Sequence, residues 1–397
     1  MGRCMNIPMA SPDITVAEIE AVNQVLQTPH LSIGPRIVEF EERFAAWIGA
    51  RHAVGVSSGT AGLHLCVIAA GVNEGDLVIT APFSFVASAN VILYERAVPI
   101  FVDIDPHTLN IDPTLVAEAS HDLARGGDAA SRWLPPVIRN SRSEIRSPRC
   151  ILPVDAFGQP ADMDAILEVA RQHGMDVIED ACEAVGAEYK ERKAGTLADA
   201  AVFAFYPNKQ MTTGEGGMII TDRDGWRDLF QSLRNQGRDV QGAWLNHSRL
   251  GYNYRLDEMG AALGLAQLGR IEELLGRRER VARWYNERLK DVEGVQTPYI
   301  YSATTRMSWF VYVIRLASNV NRDKVMAALE ERGIPSRPYF TPIHLQLFYR
   351  ERFGYREGDF PVTEAVARSV LALPFFGTMT EEQVDYVCKH IAAVLGQ

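Results

Sequence analysis

CILPVDAFGQPADMDAILEVARQHGMDVIEDAC (150–182) is the stretch on which the fold turns. Its first part, CILPVDAFG (150–158), is a short apolar run that ends at a glycine and reads as a strand. DMDAILEVARQHG (162–174) places apolar residues three and four apart on one face and also stops at a glycine, as a helix does. MDVIEDAC (175–182) is a second apolar strand that runs into two acids. Strand, helix and strand in this order make a parallel crossover, which calls for helices on both faces of a sheet. The same alternation lies upstream. His52–Val56 reads as a strand, SSGTAGLHLCVIAAG (57–71) as a turn into a helix, and DLVITAP (76–82) as a strand. FVASANVILYERA (85–97) follows as a helix and VPIFVDID (98–105) as a third strand. The predicted class is α/β with a mainly parallel sheet.

Further out the pattern changes. Residues 12–49 read as helical, opened by Pro12 and Asp13, with Val38, Phe40, Phe44 and Ile48 near helical spacing. From 112 to 150 periodicity weakens, and Gly126, Gly127, Pro135 and Pro136 predict a surface excursion. Residues 256–291 are helical, SWFVYVIRL (308–316) is a strand, and DKVMAALEERG (323–333) and EEQVDYVCKHIAAVLG (381–396) are helices. The division predicted is a large domain over 1–270 and a smaller α+β domain over 271–397, with no internal repeat.

Composition excludes several classes. The 397 residues are 47% hydrophobic and 23% charged, ordinary for a soluble chain. Net charge is −10 and no basic stripe occurs, which argues against a nucleic-acid partner; RNSRSEIRSPR (139–149) reads as a solvated loop. The five cysteines (Cys4, Cys66, Cys150, Cys182, Cys388) are scattered and make no CxxC pair. That predicts neither a disulfide framework nor a metal site, and a reducing compartment. MGRCMNIPMASPD lacks the apolar core of a signal peptide, and Asn6 stands where a myristoylation signal takes Ser or Thr. No apolar run is long enough to span a bilayer. The expected location is cytoplasmic, without a membrane partner.

Three groups carry chemistry. AVFAFYPNK (201–209) puts Lys209 at the end of an apolar run, before the turn TTGEGG (212–217) and a second apolar run, MIIT (218–221). An amine so placed is suited to forming an imine. Asp180 closes an apolar strand, where open α/β sheets bind ligands. Ser57, Ser58, Gly59 and Thr60 lie between a strand and a helix and make an anion cradle; neither a Walker loop nor GxGxxG is present. Singly, each has a plainer reading: a snorkelling lysine, a turn or cap aspartate, a helix N-cap. Together they are the three groups that pyridoxal phosphate asks for: an anion site, an amine for its aldehyde and a carboxylate for its ring nitrogen.

SSGTAGLHL, VDAFGQPADMDAI, IEDACEAVGA, FYPNKQMTTGEGGMI and LGYNYRLDEMGAALGLAQL resemble the blocks of the DegT-like sugar aminotransferases, over nearly the whole chain. These are fold-type I pyridoxal-phosphate enzymes with a seven-stranded sheet, acting on nucleotide-linked keto-sugars. The resemblance implies that Lys209 is the Schiff-base lysine, that Asp180 pairs with the pyridine nitrogen and that Glu183 lies near the ring hydroxyl. Gly59, Thr60 and Ala61 would hold the phosphate, and Phe85 would stack on the ring; its plainer reading is a core phenylalanine. Asn253 and Arg255 would reach the phosphate of a partner subunit, which makes the enzyme a homodimer with shared sites. His344 would stand on the substrate side, or else be a surface residue, and Ser32 and Gly34 would line the sugar pocket or form an ordinary turn. The chain departs from the family in Ala204, where serine is usual, in Asp155, where histidine is common, and in a longer 119–149 connection. The expected activity is transfer of an amino group from an amino acid, by resemblance glutamate, to a nucleotide-linked keto-sugar. A cyclitol aminotransferase, a sugar dehydratase (disfavoured by lysine at 209) and a non-catalytic sugar-nucleotide or cofactor sensor are the alternatives.

Overall fold

The computed structural model describes residues 5–139, 147–239 and 246–396. The chain builds β1 (His52–Val56), β2 (Leu77–Thr80), β3 (Val98–Phe101), β4 (Pro148–Leu152) and β5 (Asp176–Asp180). A hairpin of β6 (Glu188–Tyr189) and β7 (Arg192–Lys193) precedes β8 (Ala200–Ala204) and β9 (Gly217–Thr221). The main sheet has seven strands in the order β1-β9-β8-β5-β4-β2-β3. Its pairings are parallel from β8 to β3, while β9 is antiparallel to both neighbours. Six carboxyl ends and the amino end of β9 therefore share one edge. The short strands are almost wholly buried, as LVIT and GMIIT show, because helices cover both faces. Helix Met163–His173 buries Met163, Ile166, Val169 and Ala170 against the sheet and ends at Gly174, whose φ of 65° suits glycine.

The smaller unit holds β10 (Val295–Gln296), β12 (Tyr312–Leu316) and β13 (Val370–Leu373) in one antiparallel sheet, with β12 central. The intervening β11 (Thr304–Arg306) pairs instead with β6 of the large unit. The predicted boundary falls at Arg270, between helices Glu258–Gly269 and Ile271–Leu289. The second helix serves both units: Ile271, Leu274 and Leu275 join the large-domain core, and Val281, Ala282, Tyr285 and Leu289 the small one. Ile7 also packs in the small core, and the Phe375 N–H donates to the Met9 carbonyl at 3.0 Å. Ile7 thus belongs to the core of the small unit.

One expectation is refined and one corrected. Residues 12–49 are two helices, Val16–Leu26 and Pro35–Ile48; Thr15 and Glu18 form a capping box at the first. Residues 112–139 are not an irregular excursion. Asp112 accepts from the Thr114 N–H at 2.8 Å and starts helix Pro113–Arg125, which buries Val116, Ala119, Ser120 and Leu123. Asp-Pro at a cap and first helical position is a readable start signal that the glycines and prolines further on obscured. Most of the arginine-rich stretch lies outside the described residues, as does Cys4; Arg149 donates to the Ala70 carbonyl at 2.8 Å. Cys66, Cys150, Cys182 and Cys388 are all unpaired. No helix among the described residues is long and apolar enough to cross a membrane.

Candidate active site

A cavity of about 450 Å³ opens at the shared strand edge. Ser58, Gly59 and Thr60 reach it from beyond β1, Phe85 and Ser88 from beyond β2, and Val154 from beyond β4. Asp180, Cys182 and Glu183 enter from β5, and Tyr206, Asn208 and Lys209 from the β8–β9 loop. Phe310, Tyr339 and Phe340 of the small unit close the other side.

Lys209 Nζ lies 3.6 Å from Glu183 Oε1 and 3.8 Å from the centre of the Phe310 ring, with its side chain only 13% exposed. Its loop is tied from beneath by Arg278, a buried guanidinium on helix Ile271–Leu289. Arg278 donates to the carbonyls of Lys209 (2.7 Å), Phe310 (3.1 Å) and Asn208 (3.2 Å). Burial pushes this guanidinium down to about 10. Glu183 Oε2 accepts from the Phe157 N–H at 2.8 Å. Burial raises the Glu183 carboxyl above its ordinary value, and the Lys209 ammonium partly opposes that shift.

Asp180 is fixed on both oxygens. Oδ2 accepts from the Ser88 hydroxyl at 2.8 Å and Oδ1 from the Cys182 N–H at 3.2 Å. At the third corner, Ser58 caps helix Gly59–Ala69 by accepting from the Ala61 N–H at 3.0 Å. The first N–H groups of a helix have no intrahelical acceptor, so those at Gly59 and Thr60 are suited to an anion. The cradle needs glycine. A Cβ on Gly59 would lie 2.8 Å from Ala204 Cβ and from Cys182 Sγ, and one on Gly217 would lie 2.8 Å from the Ser58 carbonyl.

Lys209, Asp180, Glu183, Gly59, Thr60 and Phe85 therefore meet in one cavity. Phe85 is 64% exposed at its mouth, so the core reading of this ring is wrong. Ala61 does not reach the cavity: its N–H is taken by the Ser58 cap. His344 is corrected more fully. It is completely buried, with Nε2 3.0 Å from Glu364 Oε1 and its ring against Phe360, and it is neither on the surface nor at the cavity. Burial lowers its pKa from the usual histidine value. Ser32 bridges to Asp257, and the Gly34 N–H donates to Glu258 Oε1 at 3.1 Å; both lie off this cavity. So do Asn253, which is exposed, and Arg255, which donates to Asn235 Oδ1 at 3.1 Å. Asp155 is buried behind the cavity wall rather than in it.

Several site residues were not foreseen. Ser88 follows Phe85 by one helical turn within FVASAN, which is a usable signal. Arg278, Phe310 and Tyr339 come from the distant small unit and have no local one. The donor set fits pyridoxal phosphate: one amine, one fixed carboxylate and one glycine-floored helix start face a common space.

Comparison with known proteins gives the family. The chain matches the DegT/DnrJ/EryC1/StrS aminotransferase family over residues 12–392. It is 37% identical to the GDP-perosamine synthase of Caulobacter vibrioides over 100% of both chains. Among solved structures it is similar to an aminotransferase of the same family from Brucella abortus, with a TM-score of 0.85 at 29% identity over 96% of each chain. It is also similar to a Streptococcus pneumoniae protein described as a sugar aminotransferase, in its PLP form, with a TM-score of 0.85 at 25% identity over 98% of each chain.

Proposed function

The chain belongs to the DegT/DnrJ/EryC1/StrS aminotransferase family, whose cofactor is pyridoxal 5'-phosphate, and on that premise we propose that it moves an amino group from glutamate to a nucleotide-linked keto-sugar. The observation that supports this reading is the convergence of Lys209 and Asp180 on one cavity, with the Gly59–Thr60 helix start at its edge. Bound there, pyridoxal phosphate supplies an electron sink that makes the α-hydrogen of an attached amino acid acidic.

The chain's own groups then do the rest. Lys209 Nζ would take the proton from the donor's α-carbon as base and hand it on to the cofactor as acid within the first half of the reaction; in the second half it would carry a proton the other way, from the cofactor to the acceptor's carbon. Glu183 and Phe310 hold this amine in the cavity. Asp180, oriented by Ser88, serves the ring nitrogen, and the N–H groups of Gly59 and Thr60 serve the phosphate. Donor and acceptor use the same space in turn, so the kinetics are ping-pong. Asn253 and Arg255 lie off their own chain's cavity, which suits residues that complete the site of a second copy; Ser32 and Gly34 suit the same role toward the sugar. The active form in this reading is a homodimer.

The test offers glutamate with a panel of keto-sugar nucleotides and with cyclitol ketones, and measures 2-oxoglutarate and aminated product. Amination of a sugar nucleotide is the expected result. Amination of cyclitols alone would move the substrate class, and an absence of any glutamate-dependent change in cofactor absorbance would leave a binding protein instead of an enzyme.

A further inference from the structure

Directly behind the cavity wall lie two acids that the chemistry above does not use. Asp155 follows Val154, which lines the cavity, and Glu179 precedes Asp180. Both are completely buried. The backbone binds them together: the Asp155 N–H donates to the Asp180 carbonyl at 3.0 Å, and the Asp180 N–H donates to the Pro153 carbonyl at 2.9 Å. One oxygen of each side chain has a partner. Asp155 Oδ1 accepts from the Ala161 N–H at 2.9 Å, and Glu179 Oε1 accepts from the Gly195 N–H at 2.8 Å. The other two oxygens, Asp155 Oδ2 and Glu179 Oε2, meet no N–H or O–H donor among the described residues. Yet the parallel bridge between Val154 and Asp180 sets Asp155 and Glu179 as diagonal neighbours on the face turned away from the cavity, where their carboxyl groups act on each other. Two carboxylate oxygens repel, and they bond only when a proton lies between them.

We propose that Asp155 and Glu179 are a proton-sharing pair that positions Asp180 and the 155–161 loop for the cofactor. The loop has a stake in the site. Its Phe157 N–H holds Glu183, the acid against Lys209, and Asn110 pins it by accepting from the Ala156 N–H at 2.9 Å and donating to the Gln159 carbonyl at 2.9 Å. Gly158 packs so closely on the small unit that a Cβ would lie 1.6 Å from the Ser308 carbonyl oxygen. The loop therefore has little room, and its base is the acid pair.

Asp155 feels the negative charges of Glu179 and Asp180, while Lys209 acts on Glu183 and Cys182, on the cavity side. Burial raises Asp155 well above its ordinary value and Glu179 up to about 7. The sign follows. A buried acid with a raised pKa keeps its proton in the fold while the unfolded chain releases it. Stability is then greatest below the unfolded value of 4.5 and declines as pH rises toward about 7. Asp155, raised by the same burial, adds to the same trend.

The test compares the full-length wild type with Asp155→Asn and Glu179→Gln. An amide in either place supplies a permanent N–H donor to the remaining carboxylate, so the bond survives without a titrating proton. Unfolding of the cofactor-free protein by denaturant is followed from pH 5 to pH 9. The wild type should lose stability with rising pH, by up to tenfold in the folding constant per pH unit for each proton retained. Both variants should show a shallower slope. The infrared spectrum of the wild type should also contain a protonated-carboxyl band that Asp155→Asn lacks. Equal slopes in all three proteins, or no protonated carboxyl in the wild type, would overturn the assignment. If one variant fails to fold, the other and the infrared band still decide. Neither readout depends on which sugar is the substrate, so failure here is distinct from failure of the proposed activity.

Discussion

Arg278→Leu removes the clamp under Lys209, and its consequences can be worked from the geometry. The guanidinium donates to four carbonyls at 2.7–3.4 Å, two of them on the Lys209 loop and two, those of Trp309 and Phe310, just before β12. Truncation leaves buried acceptors without donors, each costing about 1–3 kcal/mol. Against this, removing a buried cation that has no carboxylate in hydrogen-bond contact recovers part of its desolvation cost. The net loss expected is about 2–4 kcal/mol, read as a lower midpoint in guanidinium chloride. The effect on turnover should be larger than stability alone suggests. Lys209 must meet the donor's α-carbon, and a displacement of about 1 Å costs on the order of 10²-fold in rate. Steady-state kinetics should show kcat falling by that order while KM for glutamate changes little. Arg278→Lys should recover only part of the loss, because an ammonium is a point charge and cannot span all these carbonyls as a planar fork does. A wild-type kcat in Arg278→Leu, with the cofactor bound, would refute the claim that this arginine positions the lysine.

Three further outcomes follow from single contacts. Lys209→Ala should keep the far-ultraviolet circular dichroism of the wild type and lose amino transfer altogether; product formed at the wild-type rate would end the assignment of this amine. Gly59→Ala should weaken cofactor binding, measured by fluorescence titration, because its Cβ would lie 2.8 Å from both Ala204 Cβ and Cys182 Sγ and must push the helix start off the sheet; an unchanged Kd would show that the cradle lies elsewhere. Asp112→Ala removes the cap of helix Pro113–Arg125 and should cost about 1 kcal/mol in thermal unfolding with no change in KM; a change in KM would mean that this helix touches the site.

The parts of the site that the sequence displays are those with local causes. Asp180 is visible because an apolar strand ends in it, and Gly59–Thr60 because a strand turns there into a helix. Lys209 is visible because two apolar runs flank a glycine-rich turn. His344 was misplaced because a histidine after proline says nothing about which core its ring enters; here Glu364, from a helix further along the chain, draws it inward. Arg278 was missed for the opposite reason. It stands in GRRER, where neighbouring charges suggest a solvated face, and only helix periodicity combined with a fold already in hand turns this one arginine inward. Ser88 sits between these cases, near enough to Phe85 to be suspected but linked to Asp180 only through the fold, which sets helix Ala87–Tyr94, after β2, beside the end of β5, two places along the sheet.

One topological feature explains why the lysine is where it is. Had β9 continued the parallel pattern, the chain would have left the carboxyl edge of β8 through a crossover and returned from the opposite side. Instead β9 pairs antiparallel with both β8 and β1. The connection from Ala204 to Gly217 must then turn back at the edge it has just reached. The turn is built for this: Gly214 has a φ of 82°, the Thr213 N–H donates to the Phe205 carbonyl at 3.0 Å, and the Thr212 hydroxyl donates to the same carbonyl at 2.9 Å. Lys209 lies inside that reversal, so it is held over the ends of β5 and β1 rather than carried away from them. The reversed strand also brings Gly217 against Ser58 and the Gly59 N–H, at the start of the helix. The amine and the phosphate site are thus placed by the same departure from parallel pairing. A change that lengthened the reversal would be expected to loosen both together: inserting two glycines after Gly214 should reduce cofactor affinity and turnover in step, and a loss of turnover with undiminished cofactor affinity would separate them and break the argument.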